Sequence, residues 1–140
     1  MSNLKSIWTD EYRVSWFDAD GNNRARLAAI CRYLQESAWN HANHLGFGYR
    51  QASEIKQVWV IIRLLLKMEK YPFWDDIITV RTWPRGVEGV LAFRDFEILS
   101  AAGERLGAAS SQLNTLLRPG SMRRFISLRV RIPGNGWSAE

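Results

Sequence analysis

The stretch that decides the fold is Leu27–Gly46, LAAICRYLQESAWNHANHLG. Its apolar residues Leu27, Ile30, Cys31, Leu34, Ala38 and Leu45 recur at helical spacings and form one stripe of an amphipathic helix. No proline interrupts the run, and Gly46 stands where a C-terminal cap is expected. The stripe needs an apolar surface to lie against, and the flanking sequence must supply it.

Downstream, the period changes from helical to alternating. QVWVIIRLLLKMEKYP sets Leu64, Leu66 and Met68 against Lys67 and Glu69, and Pro72 closes it. IITVRTW is expected as the next strand, stopped by Pro84 and Gly86. In VLAFRDFEIL, Leu91, Phe93, Asp95 and Glu97 oppose Ala92, Arg94, Phe96 and Ile98. RLGAASSQLNTLLR follows the SAAGE turn, its small residues expected where backbones approach closely. FISLRVRI near the end reads as a further short strand. Upstream, residues 10–19 alternate weakly and predict a first strand with Tyr12, Val14 and Trp16 on one side. Strand, long helix, then a meander of strands is an α+β plan. One helix laid across a curved antiparallel sheet is the hot-dog arrangement, expected as one domain over residues 1–140. Its long free edges favour pairing with a second copy, giving a homodimer or dimer of dimers.

Between the first strand and the helix lies Phe17–Leu27, FDADGNNRARL. Asp18, Asp20 and Asn22 imitate the start of a calcium loop. That loop needs glycine at its sixth position and glutamate at its twelfth, where this chain has Asn23 and Ala29. The better reading is a helix entrance, with Asp or Asn capping the first-turn amides. Those amides and the helix dipole also stabilise developing negative charge.

Composition excludes several classes. With 46% hydrophobic and 24% charged residues in 140, the chain suits one globular domain. No apolar run reaches the roughly 18 residues of a membrane span. Cys31 is the only cysteine and no secretory segment is read at the start, so the cytoplasm is the expected compartment. His41 and His44 lack partners for a zinc site. His41, beside the stripe, reads as a satisfied core histidine, and no metal or organic cofactor is expected. Arg63 interrupts an apolar strand and calls for a partner, for which Glu36 is the candidate. The net charge of +5 is concentrated late, at Arg118, Arg123, Arg124, Arg129 and Arg131. Those arginines are not interleaved with exposed aromatics as a nucleic-acid binder requires.

RYLQESAWNHANHLGFG, VWVIIRLLLKMEKYPFWDDIITVRTW and FRDFEILSAAGERLGAASS together resemble the acyl-acyl-carrier-protein thioesterases, over roughly residues 10–125. The resemblance is to the first of two hot-dog repeats. It rests on Tyr33–Glu36, Asn40-His41, Trp59-Val60 with Arg63, Tyr71-Pro72 with Trp74, and Thr82-Trp83, in the family's order. It implies cofactor-free hydrolysis of fatty acyl thioesters carried on acyl carrier protein, or on coenzyme A as the alternative. A non-catalytic acyl-binding module is the rival from another class. The family's catalytic Asp, Asn and His lie in its second repeat, which this stretch does not match. A single-repeat enzyme is then expected to use Asp20, or failing that Asp18, as base or nucleophile, with Asn22 and Asn23 orienting water or carbonyl. Trp59, Trp83 and Phe93 are candidates for lining the acyl site. Arg123 and Arg124 are candidates for docking the carrier.

Overall fold

The computed structural model describes residues 5–46, 58–89, 91–116, 129–131 and 137–139. Strand β1 (Trp8–Arg13) is followed by a 3-10 turn (Trp16–Asp18) and helix α1 (Leu27–His44). Then come β2 (Val58–Met68), β3 (Ile77–Glu88), β4 (Leu91–Ser100), β5 (Arg105–Leu116), β6 (Arg129–Arg131) and β7 (Trp137–Ala139). They form one sheet in the order β1-β3-β4-β5-β2-β6-β7. The five long strands pair antiparallel, and β6 joins β2 in parallel through Lys67 and Arg131. One long helix on such a sheet is the expected hot-dog arrangement.

The expected meander is corrected in one place. Strands β3, β4 and β5 are consecutive neighbours, but β2 does not pair β3. It pairs β5 instead, with Leu66 opposite Ala109 and Met68 opposite Gly107, so the β2–β3 connection passes β5 and β4 to reach β3. The small residues of β5 make that approach possible. A Cβ on Gly107 would stand 2.6 Å from the Met68 sulfur and 2.7 Å from the Lys67 carbonyl oxygen.

The core lies between α1 and the sheet face carrying Leu64, Leu66, Met68, Ile78, Val80, Phe96 and Ile98. From α1 it takes Ala29, Ile30, Tyr33, Leu34, Ser37 and His41. The buried face thus sits to one side of the predicted stripe, with Cys31 and Ala38 only partly buried at its margin. Tyr33 and Ser37 are inside because their hydroxyls find partners there: Ser37 Oγ lies 2.8 Å from the Tyr12 hydroxyl, and Tyr33, stacked on the Tyr12 ring, donates to Asp18 Oδ2.

Three other expectations need correction. The first strand ends at Arg13, and the chain turns through Trp16–Asp18, leaving Trp16 exposed while Val14 enters the core. β3 runs past Pro84 to Glu88, because a register shift between Pro84 and Gly86 absorbs the proline. Arg63 is exposed and solvated rather than paired with Glu36, which is exposed too. The helix ends as expected, with Gly46 at φ +83°.

Candidate functional site

The segment entering α1 folds back on itself. Ala19 and Ala25 bridge, the Asp20 amide donates to Arg24 O at 2.7 Å, and Asn23 takes φ +62°. Left-handed backbone is tolerated best, outside glycine, by Asn and Asp. The Asp20 carboxylate closes this turn: its Oδ1 accepts from the amides of Asn22 (2.8 Å) and Arg24 (3.1 Å). Asp20 is therefore a turn-closing residue and does not cap α1. The N-cap position falls to Arg26, which makes no side-chain cap. Burial does not raise the Asp20 carboxyl either. Hydrogen bonds from the Arg24 and Asn22 backbone hold it below the ordinary carboxylate value. Asn22 and Asn23 are exposed beside it.

Asp18 is the buried carboxylate of the pair. It accepts from Arg32 Nη2 (2.6 Å) and the Tyr33 hydroxyl (2.8 Å), tying the entrance to the first turns of α1. Desolvation pushes Asp18 up, but those two bonds outweigh it and leave the carboxyl below its usual value. The whole entrance is docked on the β2–β3 connection. Ala25 donates to Pro72 O, Trp74 donates to Asn23 O at 2.7 Å, and Arg24 bridges to Phe73.

At the other end of α1, His41 is fully buried. Its Nδ1 lies 2.9 Å from Arg94 Nη1 and its Nε2 2.7 Å from Lys5 O. A guanidinium only donates and a carbonyl only accepts, so His41 is the neutral Nε2–H tautomer. Desolvation, then the positive Arg94, hold its pKa below the ordinary value. Arg94 also donates to Thr82 Oγ1 at 3.2 Å. His41 thus has the satisfied core role expected of it. The sequence reading gave Arg94 no role, although its position on the apolar side of β4 is legible in the alternation. Asp10 was missed too: its Oδ2 gathers Trp8 Nε1 (2.9 Å) and Asn40 Nδ2 (3.1 Å) along the seam between β1 and α1.

The remaining sequence candidates scatter. Trp83 and Phe93 alternate out of register with Thr82, Val80, Phe96 and Ile98, on the sheet face away from α1. There Arg85 stacks over Phe93 at 4.9 Å and bonds Asp95 Oδ1, which also accepts from Ser110 Oγ. The backbone of Trp59 pairs with Thr115, but its side chain lies outside the described residues. Arg123 and Arg124 lie outside them as well. Among the described residues no group of three or more His, Cys, Asp or Glu is placed to hold a metal ion, and no helix is long and apolar enough to cross a membrane.

One long helix laid on a curved antiparallel sheet of this strand order defines the hot-dog class of domain. The family model of the acyl-ACP thioesterase N-terminal domain matches residues 5–116, and the chain belongs to that family. The chloroplastic oleoyl-acyl carrier protein thioesterase 1 of Arabidopsis thaliana is 30% identical over 113 residues, covering 75% of this chain and 31% of that protein. The chloroplastic palmitoyl-acyl carrier protein thioesterase of the same plant is 29% identical over 124 residues, covering 80% and 30%. An acyl-ACP thioesterase structure from Bacteroides thetaiotaomicron superposes with a TM-score of 0.79 at 26% identity, covering 89% of this chain and 50% of that one. A 1,4-dihydroxy-2-naphthoyl-CoA thioesterase from Synechocystis shares the fold, with a TM-score of 0.75 at 14% identity over 86% of this chain and 89% of that one. The chain thus spans about a third of the plant relatives and half of the Bacteroides structure.

Proposed function

We propose that this domain serves the hydrolysis of fatty acyl thioesters, with acyl-acyl carrier protein as substrate and free fatty acid as product. The family match over residues 5–116 carries the reading. In it, Asp20 is the base towards water or the nucleophile towards the thioester carbonyl. Its depressed pKa supports an ionised carboxylate at neutral pH, and its two backbone bonds fix the orientation. Asn22 and Asn23 would orient water or carbonyl. The amides opening α1, which Arg26 leaves without a side-chain cap, would receive the oxyanion. Losing one such donor typically slows a reaction by about 10²–10³. Arg123 and Arg124 would dock the acidic carrier.

Trp83 and Phe93, on the face away from α1, suit packing against a second copy better than contact with an acyl chain. β1 stands at the sheet edge, which supports a homodimer or dimer of dimers. A reducing compartment, the cytoplasm, fits a chain whose only cysteine is Cys31. The plant relatives are named as chloroplastic.

One observation favours a second reading, a non-catalytic acyl-binding module. The Asp20 carboxylate is occupied by the amides of its own turn, and a carboxyl held below its usual value is a weak base. Assay against acyl-acyl carrier protein and acyl-CoA thioesters separates the readings. Turnover of the carrier-bound substrates supports the first. Faster turnover of the CoA esters moves the substrate class to acyl-CoA, and binding without turnover supports the module.

A further inference from the structure

The chemistry read for this domain is divided between two elements. The Asp20 carboxylate belongs to a short hairpin, laced by Arg26 N to Asp18 O at 2.7 Å, the Ala19–Ala25 bridge, and Asp20 N to Arg24 O at 2.7 Å. The amides that would receive the oxyanion belong to the opening turn of α1, which carries no side-chain cap. A carboxylate and an oxyanion site act together only when their separation is fixed, since reacting groups about 1 Å out of place can lose about 10²-fold in rate.

Asp18 spans the joint between them. Its carbonyl accepts the Arg26 amide at the foot of the helix. Its carboxylate reaches past the first turn and accepts from Arg32 Nη2 at 2.6 Å and from the Tyr33 hydroxyl at 2.8 Å. The other bonds leaving the hairpin run to the β2–β3 connection: Ala25 donates to Pro72 O, and Trp74 donates to Asn23 O. The two partners of Asp18 are themselves held in place. The Tyr33 ring stacks on Tyr12 at 4.9 Å, and the Arg32 guanidinium lies 5.6 Å over the Tyr33 ring.

Exposure separates positioning from stability here. The Asp18 side chain is 10% exposed, whereas that of Arg32 is 61% exposed and stands outside the core. A pair with one partner mostly in solvent contributes little to global stability. Water can replace the guanidinium on the Asp18 oxygen, which satisfies the carboxylate but no longer ties it to α1.

We propose that Asp18 is a positioning residue of this site: through Arg32 and Tyr33 it sets the distance and angle between the Asp20 carboxylate and the opening amides of α1. This rests on the reading under Proposed function and adds to it the group that joins the two halves of the site.

The test reads the joint and the reaction separately in Arg32→Ala, with Arg32→Lys as the conservative variant. Hydrogen exchange at the amides of Asp20, Asn22 and Arg24, all bonded within the hairpin, is followed by NMR. Turnover of acyl-acyl carrier protein gives kcat and KM. Arg32→Ala is expected to stay folded, to exchange these amides at least tenfold faster, and to lose kcat by roughly 10- to 100-fold with KM within twofold, because reacting groups and not binding are displaced. Arg32→Lys, and Arg32→Ala supplied with millimolar methylguanidinium, should each recover kcat at least threefold. Arg13→Ala removes the exposed Arg13–Asp75 pair beside the entrance and leaves exchange and kcat as in the wild type. Unchanged exchange in Arg32→Ala overturns the proposal, as does faster exchange with kcat unchanged or with the loss confined to KM. If Arg32→Ala does not fold, Tyr33→Phe, which removes one bond and keeps the ring, is read by the same criteria. A wild type without turnover overturns the hydrolytic reading instead, and exchange at these amides still decides whether Asp18 holds the turn.

Discussion

Gly107→Ala tests the strand crossing that sets this domain's topology. Gly107 is buried in β5 opposite Met68 of β2, and its φ lies outside the left-handed region, so alanine brings no backbone strain of its own. What it brings is overlap. The new methyl would stand 2.6 Å from the Met68 sulfur and 2.7 Å from the Lys67 carbonyl oxygen. The sulfur ends a flexible side chain and can move. The carbonyl belongs to the paired strand and can move only by opening the ladder. Overpacking of this kind typically costs about 1–3 kcal/mol, and the backbone contact places this case near the top, at about 2–3 kcal/mol. For a chain of this length that lowers Tm by roughly 6–12 °C, measured by calorimetry or circular dichroism. Adding Met68→Ala should fail to restore it, because the Lys67 contact remains. Gly103→Ala is the control: it meets no atom within 4 Å but carries φ +85°, so it reports strain without overlap. It should cost about 1–2 kcal/mol. A Gly107→Ala protein melting with the wild type would refute the pairing of β2 with β5 in this register.

Tyr33→Phe removes one of the bonds on the Asp18 carboxylate and should destabilise by about 1.5–3 kcal/mol in urea unfolding, while raising the Asp18 pKa. Because Asp18 is depressed below its ordinary 3.8, the stability it contributes is present above that pH and is lost as pH falls towards the folded value, where acid unfolding should show it. His41 behaves likewise at higher pH. Its pKa lies below the ordinary 6.5, so its contribution is complete above that pH and declines below it as the unfolded chain takes the proton first. A melting temperature independent of pH between 7 and 5 would contradict this, as would a ¹⁵N spectrum showing the proton of neutral His41 on Nδ1.

The helix was legible because a 3.6-residue period over Leu27–His44 leaves little alternative, and β4 because Asp95–Ile98 alternate polar and apolar before the SAAGE turn. The partner of β2 was not legible. Which strand it joins depends on contacts across some fifty residues, and only the small residues in the middle of β5 hinted at close packing. β3 was cut short at Pro84 because a proline reads as a stop unless a bulge absorbs it. The site was legible in place and not in detail. FDADGNNRARL is the helix entrance, as its composition indicates. Yet neither carboxylate caps the first turn as expected: Asp18 binds Arg32 and Tyr33 of the helix, and Asp20 closes the turn before it. Those assignments depend on the left-handed Asn23 and the Ala19–Ala25 bridge, which composition does not specify. Tyr33 and Ser37 were passed over because polar residues on a helix read as solvated until a partner such as Tyr12 stands opposite.

The central claim is that the Asp20 carboxylate does chemistry beyond closing its own turn, and Asp20→Asn tests it most directly. Asparagine keeps the Oδ1 acceptor for the amides of Asn22 and Arg24 and removes the charge. With purified wild type turning over acyl-acyl carrier protein, the account predicts that Asp20→Asn stays folded and loses activity by about 10²-fold or more. Wild-type turnover by the folded Asp20→Asn protein would contradict it.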